Sequence, residues 1–201
     1  MSSIKLKHSG GNSVIIAAPA SNPASDRTLT LPSNADGTVL TTTNPKAGNI
    51  LQVVSTTKVD GFTSTNSSFV DITGFSVDIT PSSTSSKILI MVSMSIGGED
   101  TSYPAFKALR GSTALALGTY STGGSQTPCS FGYRSSSNHK TTTASFQYLD
   151  SPSTTSSTTY KVQVASTDGS HEVSVNRPTT GTNSALSHAG TSTITAMEVA
   201  G

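Results

Sequence analysis

The chain has no tryptophan, one cysteine and few charges. Each shortage removes a class. With Cys129 as its sole thiol it has no intrachain disulfide, so its 201 residues are not a disulfide-stapled secreted module. Only 11% of residues are charged and the net charge is +1, whereas disordered chains usually pair low hydrophobicity with high net charge. The 12 Lys and Arg are scattered from Lys5 to Arg177 without a basic run, so nucleic acid is not expected as a partner. Long apolar runs are also missing. Val14 to Ala18 is too short to span a bilayer, and no membrane insertion is expected. Met1 to Ser13 lacks the apolar stretch of a secretory signal. Synthesis and folding in a cytoplasm are therefore expected, with lysis as a route out. The hydrophobic share, 33%, is below the globular average. The core should be modest, with further burial between subunits.

Ser and Thr are abundant, at roughly a third of the chain. Between these polar tracts, β-strand patterns recur. Ile4, Leu6 and His8 alternate with Lys5 and Lys7, a Gly10-Gly11 turn follows, and Val14 to Ala18 is apolar, which predicts a hairpin. Short extended pieces follow at Thr28–Leu31 and Thr38–Thr41, separated by Pro32 and Asp36-Gly37. Residues 1–42 hold too few large apolar side chains for a core of their own and should be stable only when docked. Residues 43–49 resemble a linker. From Ile50 onward, strands are expected at 50–58, 68–80 with a break at Gly74, 87–96, 105–109 against 113–118, 130–134, 143–149, 159–166, 171–176 and 192–199. The run from Lys87 begins continuous and then alternates, so it should be a central strand covered on both faces at its start. The fold class is all-β: a small N-terminal β attachment segment, then a β-sandwich of jelly-roll type over 50–201.

Chemistry is harder to find. The chain has no nucleophile elbow, P-loop, dinucleotide fingerprint, zinc-protease motif, paired-cysteine motif or EF-hand loop. Three of its Asp residues, Asp36, Asp60 and Asp168, precede glycine, and turns account for them. His8, His139, His171 and His188 show no metal-ligand spacing. Cys129 lacks an activating partner and should be a buried structural thiol. No catalytic residue, cofactor or metal is assigned, and the chain is not expected to be an enzyme. Tyrosines on loops make good ligand contacts because they offer large area with few rotors. Packing at strand ends is their plainer role. Tip loops are expected around 97–104, 119–128, 135–142 and 177–190, and the candidate contact residues, in or near loop-rich parts, are Tyr103, Tyr120, Tyr133, His139 and Arg177.

A resemblance accompanies these residues. Ile4-Lys5-Leu6-Lys7-His8-Ser9-Gly10-Gly11-Asn12-Ser13, then Asn22 to Pro32 and Asp36-Gly37-Thr38-Val39-Leu40, resemble the N-terminal segment of fibre-like virion proteins of marine tailed bacteriophages. Arg110-Gly111-Ser112-Thr113, Leu149-Asp150-Ser151-Pro152, Thr159-Tyr160-Lys161-Val162, Val175-Asn176-Arg177 and Ser192 to Val199 are similar to trimeric jelly-roll heads related in shape to the tumour-necrosis-factor fold. The resemblance implies a homotrimer on the virion surface. Its residues 1–42 would dock on other virion proteins through Ile4, Leu6, Val14, Ile15, Ile16, Leu29 and Leu31. Its head would meet the host surface, with glycan as the expected ligand and avidity compensating for weak single sites. No shaft lies between residues 43 and 49, so a short tail or neck fibre is expected. The alternative is a capsid decoration or cement protein.

Overall fold

A computed structural model describes residues 3–7, 9–11, 13–17, 45–119, 124–180 and 187–201. The chain forms two compact units, Met1–Val39 and Leu40–Gly201. Among the described residues there is no helix, and so none long and apolar enough to cross a membrane.

In the first unit, β1 (Ser3–Lys7) and β2 (Ser13–Ala17) make the expected antiparallel hairpin. Ile4 pairs with Ile16 and Leu6 with Val14. Gly11 takes the positive φ of the turn, 97°, a conformation open to glycine without steric cost. The expected pieces at 28–31 and 38–41 lie outside the described residues.

The second unit contains β3 (Ile50–Lys58), β4 (Phe62–Ser64), β5 (Val70–Ile79), β6 (Lys87–Gly98), β7 (Pro104–Arg110), β8 (Thr113–Leu115), β9 (Phe131–Gly132), β10 (Thr141–Asp150), β11 (Thr158–Ser166), β12 (Val173–Val175) and β13 (Ser192–Val199). Three of these pairs are interrupted strands. β4 continues β3, β9 joins β8 along the same edge of β7, and β12 precedes β13 along the same edge of β6. Eight strands then remain. One sheet runs β3/β4, β12/β13, β6, β10, and the other runs β5, β11, β7, β8/β9, all antiparallel. In chain order these are 1-8-3-6 and 2-7-4-5, the order of a jelly roll.

The core lies between the sheets. Phe75, Val77 and Ile79 from β5 and Tyr160, Val162 and Val164 from β11 meet Ile88, Ile90, Val92 and Met94 from β6 and Ile194 from β13. Each such side chain contributes about 1.5–3 kcal/mol of apolar burial. The break expected at Gly74 is a bulge. Gly74 has φ 74°, and the β11 register jumps from Ser76 to Asp71. The bulge frees the carbonyl of Thr73, which accepts a 2.8 Å bond from the ammonium of the buried Lys58. Phe106, Phe131, Phe146 and Tyr148 stack in series, with centroids 4.9, 5.8 and 6.5 Å apart, and tie the two sheets together on one side. Tyr148 therefore packs mid-strand and is not a loop residue.

Two expectations need correction. The start of β6 is covered on one face only. Burial alternates from Lys87 to Ser93, and becomes continuous at Ile96–Gly98, where loops close over the strand. Cys129 is half-buried, beside Gly118 and Gln126 on a groove wall, because its loop leaves the sheet there.

Candidate functional site

The sandwich has two unlike ends. At one, the chain enters and finishes. Gly48 N donates to Ala200 O, and Ala200 N to Asn49 O, both at 2.8 Å. The connections at this end are short, and buried polar groups brace them. Glu198 projects inward from β13 and accepts from Ser82 N, Ser82 Oγ, Ser86 Oγ and Gln52 Nε2 at 2.6–2.7 Å. Burial pushes its pKa upward, but these donors outweigh burial and hold it below the ordinary value. Asp150 accepts both Arg110 Nη1 contacts, at 2.8 and 2.7 Å, and the Tyr160 hydroxyl at 2.7 Å. Burial, then the adjacent Asp150 carboxylate, raise the Tyr160 pKa well above the phenol range.

At the opposite end, strand direction brings together the connections 59–69, 99–103 and 167–172 and the described parts of two longer ones, 116–119 with 124–140 and 176–180 with 187–191. The described parts of the four loops named from the sequence share it. The described loops are knitted by backbone hydrogen bonds: Thr101 N to Ser135 O, Ser135 N to Ser102 O, Glu99 N to Glu172 O, and Thr180 N to Asn138 O, at 2.8–3.1 Å. Asn176 is a buried pin with φ 65°. Its amide donates to Lys58 O and Asp60 O at 2.8 and 3.0 Å, and its Oδ1 accepts from Ser192 Oγ at 2.6 Å.

The turn role expected of Asp168 holds. Its Oδ1 accepts from Ser170 N and His171 N at 3.1 Å, and His171 Nδ1 lies 2.9 Å from its Oδ2. Burial pushes the Asp168 pKa up, but the amide donors and His171 overcome it and hold the value at about 2. Asp60 differs. It pairs with Lys58 at 2.8 Å, and that hydrogen bond lowers its pKa. Gly61 has no left-handed backbone. A Cβ there would sit 2.9 Å from Arg177 Cδ, so a larger residue would need the arginine side chain to shift.

The candidate residues are divided among several places. Tyr103 and Tyr133 line one shallow groove of about 360 Å³ with Gln126, Thr127 and Thr167. Arg177 lines a second groove of about 240 Å³ with Val59, Gly61 and His188, and its guanidinium is 3.5 Å from Glu172. His139 is exposed, its Nδ1 3.5 Å from Thr180 Oγ1. Tyr120 lies outside the described residues, as do Leu29, Leu31 and the side chains of Ile4, Val14, Ile15 and Ile16. Leu6 is exposed. Among the described residues no group of three or more His, Cys, Asp or Glu could hold a metal ion.

One feature was missed from the sequence because it depends on register. On the outer face of the first sheet, Met197 pairs with both Val53 and Leu89, and Leu89 pairs with Leu149. Four apolar side chains thus cross β3, β13, β6 and β10 in one row, with Met91 and Val199 beside it. Val53 is 53% and Leu149 48% exposed. The signal in the sequence was the apolar residues at the outward-alternating positions of two strands, Leu89 and Met91, and Met197 and Val199.

No known family profile matches the chain, and no curated protein matches it. Solved structures similar to it include that of the infectious bursal disease virus Gx strain, at 16% identity, covering 92% of this chain and 47% of that one, with a TM-score of 0.37. The VP2 subviral particle of infectious bursal disease virus is also similar, at 15% identity, 94% and 46% coverage and a TM-score of 0.35. The chain spans about half the length of these proteins. The fold assignment rests on the strand pairing above, not on this likeness.

Proposed function

We propose that the chain is a virion appendage, a short tail or neck fibre of a tailed bacteriophage. Residues 1–42 dock on other virion proteins, and residues 50–201 form a homotrimeric head that meets host-surface glycan. The protein is made in the host cytoplasm and works on the particle surface, without catalysis. The observation that carries this reading is the polarity of the sandwich. The linker enters at the braced end, and the polar, groove-bearing loops gather at the other. A head held by its entry end presents those loops outward. The apolar row on the first sheet supports self-association, since a solvated face of that kind is normally covered.

Gold labelling of intact particles with an antibody against residues 50–201 tests the reading. Label clustered at the tail or neck is expected. Label spread over the head would replace the fibre by a capsid decoration or cement protein. Particles without label would remove the virion assignment.

A further inference from the structure

The groove beside Tyr103 has a chemistry distinct from the rest of the loop end. Its floor and walls include Tyr103, Tyr133, Ser125, Gln126, Thr127 and Thr167, with no Asp, Glu, Lys, Arg or His among the lining residues. Tyr103 is 45% exposed, yet its backbone is fixed. Its carbonyl accepts from Thr167 N at 3.3 Å and Thr167 Oγ1 at 2.9 Å. Tyr133 N donates to Pro104 O at 3.0 Å, which sets the second aromatic residue on the adjoining wall. The Arg134 guanidinium lies 5.6 Å from the Tyr103 ring centre, within reach of a cation–π contact that orients the ring. The side chains of Ser125, Gln126 and Thr127 are exposed and take no hydrogen bond from any described residue. The groove volume, about 360 Å³, falls at the small end of the ~300–1,000 Å³ range of ligand sites.

We infer that this groove binds a neutral pyranose, one or two sugar units at the end of a glycan chain. The inference rests on the host-contact reading above and gives it a ligand class and a place. A pyranose has an apolar C–H face and a rim of hydroxyls. Tyr103, about half exposed, offers flat, rigid area to the first, with Tyr133 beside it partly packed against the core, and Gln126 and Thr127 offer an amide and a hydroxyl to the second. The groove is shallow, so single-site binding should be weak and multiplied by copy number.

Saturation-transfer NMR on the full chain tests this. The probes are methyl α-glucoside, methyl α-mannoside, methyl β-galactoside, N-acetylglucosamine and methyl β-glucuronide. At least one neutral sugar should receive transfer. Tyr103→Ala should weaken it at least tenfold and Gln126→Ala severalfold, at unchanged thermal midpoint. Tyr103→Phe should retain most of it, and Arg177→Ala should leave it intact. No transfer to any neutral sugar overturns the inference. So does transfer that survives both Tyr103→Ala and Gln126→Ala, or binding of the glucuronide alone with loss in Arg177→Ala. Failure here leaves gold label on the tail unaffected, so the two proposals fall separately.

Discussion

The two sheets of the sandwich share a core but differ on their outer faces. Along β5 and β11 the outer face of the second sheet is polar and cross-linked, while β7 adds Ala105 and Leu109 on either side of Lys107. Lys161 and Gln163 both reach Asp71, at 2.7 and 2.8 Å, Thr159 bonds Asp78, and Lys107 sits 3.9 Å over the Phe69 ring. The β3–β13–β6–β10 face presents Val53, Met197, Leu89 and Leu149 in one row. A sheet with one solvated face normally alternates apolar-in and polar-out. Asp71, Asp78, Lys161 and Gln163 obey that rule, and the row from Val53 to Leu149 breaks it. The departure lies across four strands of different origin in the chain, so a single permissive loop does not explain it. Under the proposed trimer, it is the face a second copy would be expected to cover.

The largest expected effect is on that face. Val53→Lys combined with Leu149→Asp places opposite charges at two ends of the row, on residues already about half exposed in the single chain. Each replacement removes about 2 kcal/mol of apolar burial per copy in an assembly. Sedimentation velocity should show the parent chain at three times its monomer mass and the double variant at monomer mass, with an unchanged far-ultraviolet spectrum. A parent chain already monomeric, or a variant of unchanged mass, would remove the meaning given to the contrast.

Next comes the pin that shapes the first sheet where β3 and β12 are interrupted. Asn176→Ala removes three amide hydrogen bonds and leaves a left-handed backbone on a residue that adopts it poorly. A loss of about 3 kcal/mol is expected by urea denaturation. On β13, Met197 and Val199 point out while Glu198 points in. Glu198→Gln keeps the size but replaces one accepting oxygen by a donor facing donors. A loss of about 2 kcal/mol is expected by the same measurement, larger than for any single change on the outer row in the isolated chain.

A pH test separates fixed chemistry from surface chemistry. The folded surroundings hold the Asp168 pKa at about 2, below the ordinary aspartate value of about 3.9. A depressed carboxylate contributes stability that is fully present above its unfolded value and is lost as pH falls through the folded one. The expected contribution is about 1–2 kcal/mol, discounted for the partly exposed His171 partner, and it should disappear between about pH 4 and pH 2. Asp168→Asn should flatten the thermal midpoint over that window and leave the profile above pH 5 parallel to that of the parent. A midpoint with the same acid slope in both proteins would show that the turn carries none of it.

Much of this fold was legible because strand alternation and turn residues are local signals. Ile50–Lys58, Thr158–Ser166 and Ser192–Val199 are found within a residue or so of expectation, and the Arg110-Gly111-Ser112 hairpin is in place. The strand Phe62–Ser64 was not legible, because three residues carry no period and its pairing with β12 comes from residues 173–175. The Asp60-Gly61 pair signals a turn in the sequence, but Gly61 has no left-handed backbone, and the side chain packed over it is Arg177, distant in sequence. Of the candidate site, Tyr103 and Tyr133 were nominated by loop position. That they share a groove depends on the pairing of Tyr133 N with Pro104 O, which no local pattern encodes. The apolar row was hidden for the same reason. Each outward residue is ordinary alone, and only the register aligns them.

The smallest effect belongs to the polar face. Asp71 is half exposed, and its hydrogen bonds from Lys161, then from Gln163, lower its pKa. An exposed pair of this kind is worth about 0.2–1 kcal/mol and is screened by salt. Asp71→Asn should therefore shift the urea midpoint barely above error, and the shift should shrink at high ionic strength. It should leave the sedimenting mass unchanged, because Lys161 and Gln163 already satisfy Asp71 within the single chain. If Asp71→Asn dissociated the protein while the Val53 and Leu149 variant did not, the two faces would have exchanged roles. The polar sheet would then be the one that meets its neighbours, through ion pairs that a second copy completes, and the apolar row would need another partner.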